Sequence, residues 1–546
     1  MSSIDPETGT AVLMRAPILV ASCLTILGAL AAWSLGITGL SPIDDHQFVS
    51  TLFAGRPFGY YVSPGEGRFF PLVAQEYVAA STVAGPSAGL FHFIATMKMV
   101  AAGSLLLLCL ARTRAGAWTI GLMWCVAVLS VGFVNAALRL QVGEINVLFL
   151  TLVFLWSCLA LEEGSGKSPR RRQAIAALGL ACMGLSFLYK EVAFVFALGF
   201  GAAEATRRAR QGEALPRPML GLMAMGFAYI AIYAIWRKGD APVSYLDFHS
   251  MARLHVLYLY TVTDPFIVLV VVPLAAFRIW VVARDPARHT LYDSFLVAAS
   301  LYAAAYVTLG IHNNYYLLPA YGFATCGVAG VLAPRSEFRG MRSMLALCAL
   351  VIANTLPAAI SDMRALRSIP NNHQHFIDWL SAWIRVNPLP GGARRNLVLV
   401  GVSPASGIEV LHSLAVFLRS RGVDDASFDL RATQPVDNQA LRSAYGASDP
   451  GLSFFADEGG YRPRAGDLLI FNPYEKEPVQ RPRPTPSLRE VYVSDSQWTV
   501  PRWWVWHWVR YCVFQPTNCR SEVSSSRRYV GYAAVLVISE PEITRR

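Results

Sequence analysis

The chain has 546 residues; 54% are hydrophobic, only 15% are charged, and the formal net charge is +11. A soluble globular domain carries about 25% charge, so this composition, with a mean hydropathy of +0.40, excludes a soluble enzyme and indicates a polytopic α-helical membrane protein. Nucleic acid is not an expected partner, because much of the positive charge sits in short loops between apolar segments, where it acts as a topology signal.

A membrane-crossing helix needs about 20 mostly apolar residues. About eleven segments qualify: Pro17–Thr38, Ser87–Ala111, Ala117–Leu138, Ile145–Leu161, Ala174–Leu188, Val192–Ala205, Met219–Trp236, Pro265–Val282, Ser294–Gly310, Tyr315–Leu332 and Met344–Ile360. The two on either side of Lys190 are short and are expected to be tilted or partly buried in protein. The first is expected to be retained, since no A-x-A-like cleavage site follows a short apolar run. Cys23, Cys109, Cys125, Cys158, Cys182, Cys326 and Cys348 fall in these segments and read as small packing residues.

Every second connection is basic: Arg112–Arg114; Lys167 with Arg170, Arg171 and Arg172; Arg207, Arg208, Arg210 and Arg217; Arg284 and Arg288; Arg335, Arg339 and Arg342. The positive-inside rule makes these cytoplasmic. The opposite, outer set is then Ser41–Pro86, Arg139–Glu144, Tyr189–Glu191, Arg237–Asp264, Ile311–Asn314 and everything after Ile360. An odd number of spans puts the N-terminus in the cytoplasm and the tail outside. Arginine-rich short loops without a eukaryotic retention signal lean towards a bacterial inner membrane, with a periplasmic tail.

The chain therefore divides into a transmembrane region, 1–360, and a C-terminal domain, 361–546. In the tail, Asn396–Val402, Asp467–Pro473, Leu488–Ser494 and Tyr529–Ser539 read as strands, and Ile408–Val423 as an amphipathic helix ending at Gly422. That alternation predicts a small α/β domain. GVSPASG lacks G-x-G-x-x-G and the P-loop lysine, so it reads as an ordinary strand-to-helix turn. The aromatic run Pro501–Tyr511 fits packing at the membrane interface, with a sugar-stacking platform as the alternative. Cys512 and Cys519 can pair if the tail lies in an oxidising compartment.

Charged groups beside a membrane are costly and mark function by default. The first outer loop (41–86) carries Asp44, Asp45, His46, Arg56, Glu66 and Arg68. The later outer connections add Arg139 and Glu144, then Lys190 and Glu191, then His312, Asn313 and Asn314. These carboxylates can act as a general base towards a hydroxyl. Arg139, Lys190 and His312 can hold a phosphate leaving group, where a cation stabilises the charge that develops. Each residue also has a structural reading. Asp44–Asp45 can cap a helix starting near His46. Arg139 and Glu144 can pair, Lys190 can snorkel, His312 can be a satisfied loop histidine, and Lys98, inside the second segment, can pair with a buried carboxylate or carbonyl.

At these residues the chain resembles the GT-C superfamily of integral membrane glycosyltransferases. Asp44–Asp45 resembles the acidic pair, usually Asp-Glu, in the first outer loop of the protein O-mannosyltransferase and aminoarabinose-transferase families. GLSFLYKEVAF resembles their G-L-x-F-L-T-K-G-P segment, with Lys190 at the lysine and Glu191–Val192 in place of Gly-Pro. VGEINVLFLTLVFL resembles the G-Q-x-N-x-L-L-L segment of the polyprenyl-phosphomannose-dependent branch, with Glu144 for Gln. NNYYLLPAY, which contains Tyr316, is similar to R-Y-L-L-P, with Asn314 for the base and His312 as its stand-in.

The resemblance implies inverting transfer of a sugar from a polyprenyl-phosphate donor, at the outer face, to a lipid, glycan or protein acceptor. Asp44 or Asp45 would be the base, with Glu144 as a further acidic residue. Lys190, Arg139 and His312 would bind the donor phosphate. His46, Arg56, Glu66, Arg68, Glu191, Asn314 and Tyr316 would line the substrate sites. Some branches use a divalent cation such as Mg or Mn; no dedicated ligand spacing is present here beyond the adjacent aspartates. The competing readings are a lipid-linked polysaccharide polymerase or ligase, a transporter or flippase of a lipid-linked sugar, and a membrane scaffold with an outer binding domain.

Overall fold

The computed structural model describes residues 6–63, 68–163, 168–236, 253–333, 341–401, 404–435, 460–471, 485–494, 500–501, 527–528 and 531–538. Glu66, Lys167, Arg335, Arg339, the first part of the Arg237–Asp264 connection, most of the Pro501–Tyr511 run, Cys512 and Cys519 lie outside the described residues.

Each of the apolar segments has a helical counterpart. They are α1 (Pro6–Leu35), α4 (Ala88–Arg112), the pair α5 (Ala117–Val128) and α6 (Val131–Leu138), α7 (Glu144–Glu162), α8 (Pro169–Phe187), α9 (Phe194–Arg210), α10 (Arg217–Trp236), α12 (Val272–Arg284), α13 (Leu291–Leu309), α14 (Leu318–Val331) and α15 (Met341–Val386). The short helices α2 (His46–Ser50), α3 (Gln75–Ala84) and α11 (Arg253–Thr263) sit between them, and strands β1 (Tyr61–Ser63) and β2 (Arg68–Phe70) pair antiparallel as a hairpin in the first loop. Among the described residues, seven helices, or eight with the bent pair taken as one, are long and apolar enough to cross a membrane. The bend of 54° between α5 and α6 falls where Ser130 accepts a hydrogen bond from the Phe133 N–H and starts a new helix. A π-helical turn, Phe266–Val271, leads into α12. The core between helices is aromatic: Phe196 stacks on Tyr302 at 4.1 Å and on Phe323 at 4.8 Å between ring centres.

Contacts run within each of the two sets of connections. In the basic set, Arg112 pairs with Glu163, the Tyr292 hydroxyl donates to the Thr113 carbonyl, and Gln211 donates to the His289 carbonyl. In the other set, Leu72 N–H donates to the Leu188 carbonyl, Gln141 to the Asp44 carbonyl, and Tyr260 to the Ile311 carbonyl.

The last helix differs most from expectation. The apolar run ends near Ile360, but α15 continues unbroken through position 361 to Val386, 46 residues in all, or about 69 Å at 1.5 Å per residue. Its helical period persists after its uniform apolarity stops: Ala365, Ile369, Phe376, Ile377, Leu380 and Ile384 are all buried. This half carries the tail. Strands β3 (Arg395–Leu399), β4 (Phe428–Ala432), β5 (Leu468–Phe471), β6 (Leu488–Val493) and β9 (Ala533–Val537) form a sheet in the order β4-β3-β5-β9-β6. β7 (Val500–Pro501) and β8 (Arg527–Arg528) pair separately. β3 is parallel to β4 and β5, while β9 is antiparallel to β5 and β6.

Helix α16 (Pro404–Ser420) makes the crossover that parallel β3 and β4 require. It packs with α15 on one face of the sheet, where Leu411, Leu414 and Leu418 meet Phe376, Leu380, Leu397 and Leu430. The predicted α/β tail is thus present, with one strand of its main sheet, β4, and the short pair β7 and β8 that the apolar runs did not mark.

The start of the loop between α1 and α4 is pinned to α15. The Thr38 and Gly39 N–H groups donate to the Asn371 side-chain oxygen at 2.8 and 3.3 Å, and Asn371 donates back to the Gly36 carbonyl at 3.0 Å. A Cβ on Gly39 would lie 2.1 Å from the Pro370 carbonyl oxygen, so only glycine allows this approach. Gly39→Ala should lower stability by about 1–3 kcal/mol, as overpacking does, whereas Gly59→Ala, with open space around it, should not; thermal unfolding of the two variants in detergent checks this.

Candidate active site

Helix α2 begins at His46, as a capping role for Asp44–Asp45 anticipates. The carboxylates, however, do not cap it: Asp45 occupies the N-cap position without a side-chain cap bond. Its Oδ2 accepts instead from the Ser41 N–H at 2.7 Å, closing the turn backwards. Asp45 is 4% exposed. Burial, partly offset by that bond and reinforced by Asp44, pushes its carboxyl up to about 8.

Asp44 is the less buried of the two and has a left-handed backbone, φ +66°. Its carboxyl group is raised by burial and restrained by the facing Arg139 and Arg68 guanidinium groups. Both aspartates and Arg139 line one small cavity of about 30 Å³, closed by Leu138–Gln141, His92 and, from α15, Leu366, Ile369 and Pro370. Gln141 Nε2 donates to the Asp44 carbonyl at 2.7 Å. The Tyr61 hydroxyl bridges the side-chain amides of Gln141 and Gln47.

Beside this cavity lies a second charged group. Lys190 Nζ is 2.9 Å from Glu144 Oε1, with the lysine side chain 16% and the glutamate 3% exposed. The pair forms because Gly143 lets the start of α7 press against the 188–191 connection; a Cβ there would come within 2.7 Å of the Tyr189 carbonyl oxygen. Glu144 also stands at the first position of α7, where the helix dipole favours a negative charge. Lys190 lies over the Tyr316 ring at 4.3 Å. Burial works against its charge, but Glu144, Tyr316 and Glu191 outweigh it and raise its pKa. Lys190 is thus held inside by a carboxylate and does not snorkel.

Tyr315 joins the two groups. Arg139 sits over its ring at 5.7 Å, its ring is edge-on to Tyr316 at 5.2 Å, and it lies within electrostatic reach of Glu144 and Asp44. Four connections at one end of the helices therefore bring Asp44, Arg139, Glu144, Lys190 and Tyr316 to one place. Glu191 accepts from the Phe69 N–H at 2.8 Å and ties the first loop to this floor. Arg68 also rests over Phe70, at 5.5 Å.

The remaining predicted residues go elsewhere. His46 is buried, edge-on to His412 of the tail at 5.1 Å, and burial with His412 drives its pKa down to about 3. His312 is 3.3 Å from the Thr263 hydroxyl and 4.7 Å from the Tyr260 ring. Burial and nearby His255 lower its pKa to about 4, so it is neutral at pH 7 and offers a hydrogen bond, not a charge. The Asn314 N–H donates to the Asn313 side chain. Arg56 is exposed and lines a different cavity, of about 390 Å³, with Arg419 and Arg421 of the tail. Lys98 pairs with Glu76 at 2.6 Å, the partner expected of a lysine inside a span.

Four residues of the site and its surroundings carried no signal that singled them out in the sequence. Gln141 and Tyr61 carry no charge signal. Glu409, on α16, accepts from the Asp44 N–H at 3.3 Å, and burial and Asp44 push its carboxyl up to about 7. Asp264, buried beneath His312, accepts from Thr263 at 2.7 Å and Tyr321 at 3.2 Å. Burial raises it to about 7 against the pull of those two bonds; it stood at the end of an outer connection in the sequence. Among the described residues no three His, Cys, Asp or Glu side chains form a metal-ligand set.

No known family model matches the chain, and no curated protein matches it. Among solved structures it is similar to ArnT from Cupriavidus metallidurans bound to undecaprenyl phosphate, with 12% identity over 83% of this chain and 93% of that one and a TM-score of 0.44. The apo state of the same protein gives 14% identity over 86% and 94%, with a TM-score of 0.42. The apo oligosaccharyltransferase of Archaeoglobus fulgidus gives 10% identity over 83% and 70%, with a TM-score of 0.41. At such low identity and superposition, the chemistry rests on the residues themselves.

Removing one partner of a buried pair strands the other charge, at a cost of about 3–5 kcal/mol. Lys190→Met should therefore lower the melting temperature in detergent markedly, and Glu144→Gln added to it should recover most of the loss. Equal melting temperatures for the single and double variants would show that the pair is not coupled.

Proposed function

We propose that the protein is a membrane glycosyltransferase that moves a sugar from a polyprenyl-phosphate donor to a hydroxyl of a lipid, glycan or protein acceptor on the outer side of the membrane. The observation that supports this most directly is a carboxylate, Asp44, sharing one pocket with Arg139 and within electrostatic reach of Arg68, next to a lysine fixed by Glu144. A base and a phosphate-binding cluster stand side by side there, which is what glycosyl transfer from a phosphate requires.

In this reading Asp44 takes the proton from the acceptor hydroxyl. The acceptor oxygen forms its bond to the anomeric carbon from the face opposite the phosphate. The bond from that carbon to the phosphate oxygen breaks, its electron pair leaves with polyprenyl phosphate, and the configuration inverts. Arg139 and Arg68 stabilise the charge growing on the departing phosphate, and Lys190, oriented by Glu144 and Tyr316, bounds the site on its far side. Asp45 has a different task, because its carboxylate is spent on the Ser41 N–H. A cavity of about 30 Å³ admits water but not a glycosyl phosphate, so the first loop must draw away from α15 for substrate to reach Asp44, as lids do in many enzymes.

Transfer from labelled polyprenyl-phosphate sugars, in membranes with matched expression, tests the assignment. Asp44→Asn should cost about 10²–10⁴-fold, the usual contribution of a general base. Asp45→Asn keeps an oxygen for Ser41 and should cost far less. Should the two variants behave the other way round, Asp45 is the base; should both transfer at the wild-type rate, the site is structural.

The pH dependence has a definite sign. The base works ionised, and burial raises Asp44 above the ordinary carboxylate value. Activity should fall as pH is lowered, with its half-point above the range of an exposed aspartate.

A further inference from the structure

The base proposed above is held by two peptide contacts from two different parts of the chain. Its carbonyl accepts from Gln141 Nε2 at 2.7 Å, in the connection between α6 and α7. Its N–H donates to Glu409 Oε1 at 3.3 Å, on α16 of the tail. Between them Asp44 keeps a left-handed φ of +66°, a conformation that a non-glycine residue holds only when its surroundings impose it. One helical turn on from Glu409, on the same face of α16, His412 meets His46 edge-on at 5.1 Å. The tail helix thus grips the chain on both sides of Asp45.

We propose that Glu409 is a positioning residue of the transfer site: by holding the Asp44 peptide from across the domain boundary it aims the Asp44 carboxylate, so that the site is complete only with the C-terminal domain docked. This rests on the glycosyltransferase reading. Glu409 does not touch the reacting atoms in this scheme; it acts through Asp44. It also acts through charge. The groups facing Asp44 are Asp45 from its own loop, Arg68 and Tyr61 from the first-loop hairpin, Arg139 from the end of α6, Tyr315 from the connection before α14, and Glu409 from α16. A glutamate there opposes ionisation of Asp44, and the two arginines favour it.

The test uses the full-length protein in lipid nanodiscs, as wild type, Glu409→Ala and Glu409→Gln. Two readouts are taken: sugar transfer from a labelled polyprenyl-phosphate sugar across pH, and hydrogen–deuterium exchange in peptides spanning Ser41–Ser50. Glu409→Ala should lower kcat by about ten- to a hundredfold, the effect of a misaimed group, with the donor KM little changed, and the Asp44 amide should exchange faster. Glu409→Gln retains an oxygen for the same N–H. It should keep the amide protected and restore most of kcat, while the acid limb of the profile moves to lower pH because a facing carboxylate has gone.

Wild-type kcat and unchanged exchange in Glu409→Ala overturn the proposal. So does equal loss in both variants with global deprotection of the tail, which would make Glu409 a folding residue of that domain. If the wild type itself transfers no sugar, the glycosyltransferase reading fails, and the exchange comparison still decides whether Glu409 holds Asp44.

Discussion

Charge brought to the edge of a hydrocarbon layer must be paired, because water is not there to solvate it, and the polar architecture of this protein follows from that constraint. Glu76 meets Lys98, Glu144 meets Lys190, Glu204 meets Arg207 and Asp293 meets Arg278, all between 2.6 and 2.9 Å. One place is organised differently. Asp44, Asp45 and Glu409 crowd together, each raised by burial above its ordinary value. Arg139 and Arg68 act on this group, favouring the ionised form of Asp44. A stable fold has little reason to gather three carboxyl groups in a half-buried pocket, which is why the site is sought there and not at the neatly paired positions.

The long helix α15 connects that site to the rest of the chain. Its first half belongs to the membrane region, and its second half forms the inner layer of the tail. Where the two meet, Pro370 and Asn371 receive the Gly36–Gly39 segment at the mouth of the first outer loop. The loop is therefore held by α15 on one side, by the 188–191 connection on another through Leu72 and Phe69, and by α16 on a third. Widening the small cavity requires at least one of these supports to yield, so the seating of the tail bears directly on the space around Asp44.

The division of labour among the acidic residues follows from backbone geometry more than from residue type. Asp44 and Asp45 are adjacent and chemically alike, yet one carboxylate closes a turn on Ser41 and the other faces the arginines. The left-handed φ at Asp44 turns the chain between them and sends the side chains to different partners. Glu144, a candidate for a second acidic role, is engaged by Lys190 at 2.9 Å.

Much was legible in the sequence. Uniform apolarity marked the helical segments, because lipid-compatible helices must be apolar over their whole length. Alternating arginines divided the connections into two sets, and the contacts respect that division. Placing Asp44, Arg139, Glu144, Lys190 and Tyr316 together needed only the inference that connections of one set share one end.

What the sequence could not determine depends on direction and distance. Arg56 shares a loop with Asp44 yet lines another cavity, since the chain turns between them. The extension of α15 was hidden because apolarity stops at Ile360 while the helical period continues. β4, FDLRA, alternates buried and half-buried residues around Asp429 and Arg431, a period too short to stand out. Glu409 lies 365 residues from Asp44, and a bond to a peptide N–H asks for no particular residue type and leaves no motif. Local composition determined which elements form; only the packing of distant elements decided which charges are paired and which side chains meet in the pocket, because pairing depends on ångström distances that no spacing in the chain encodes.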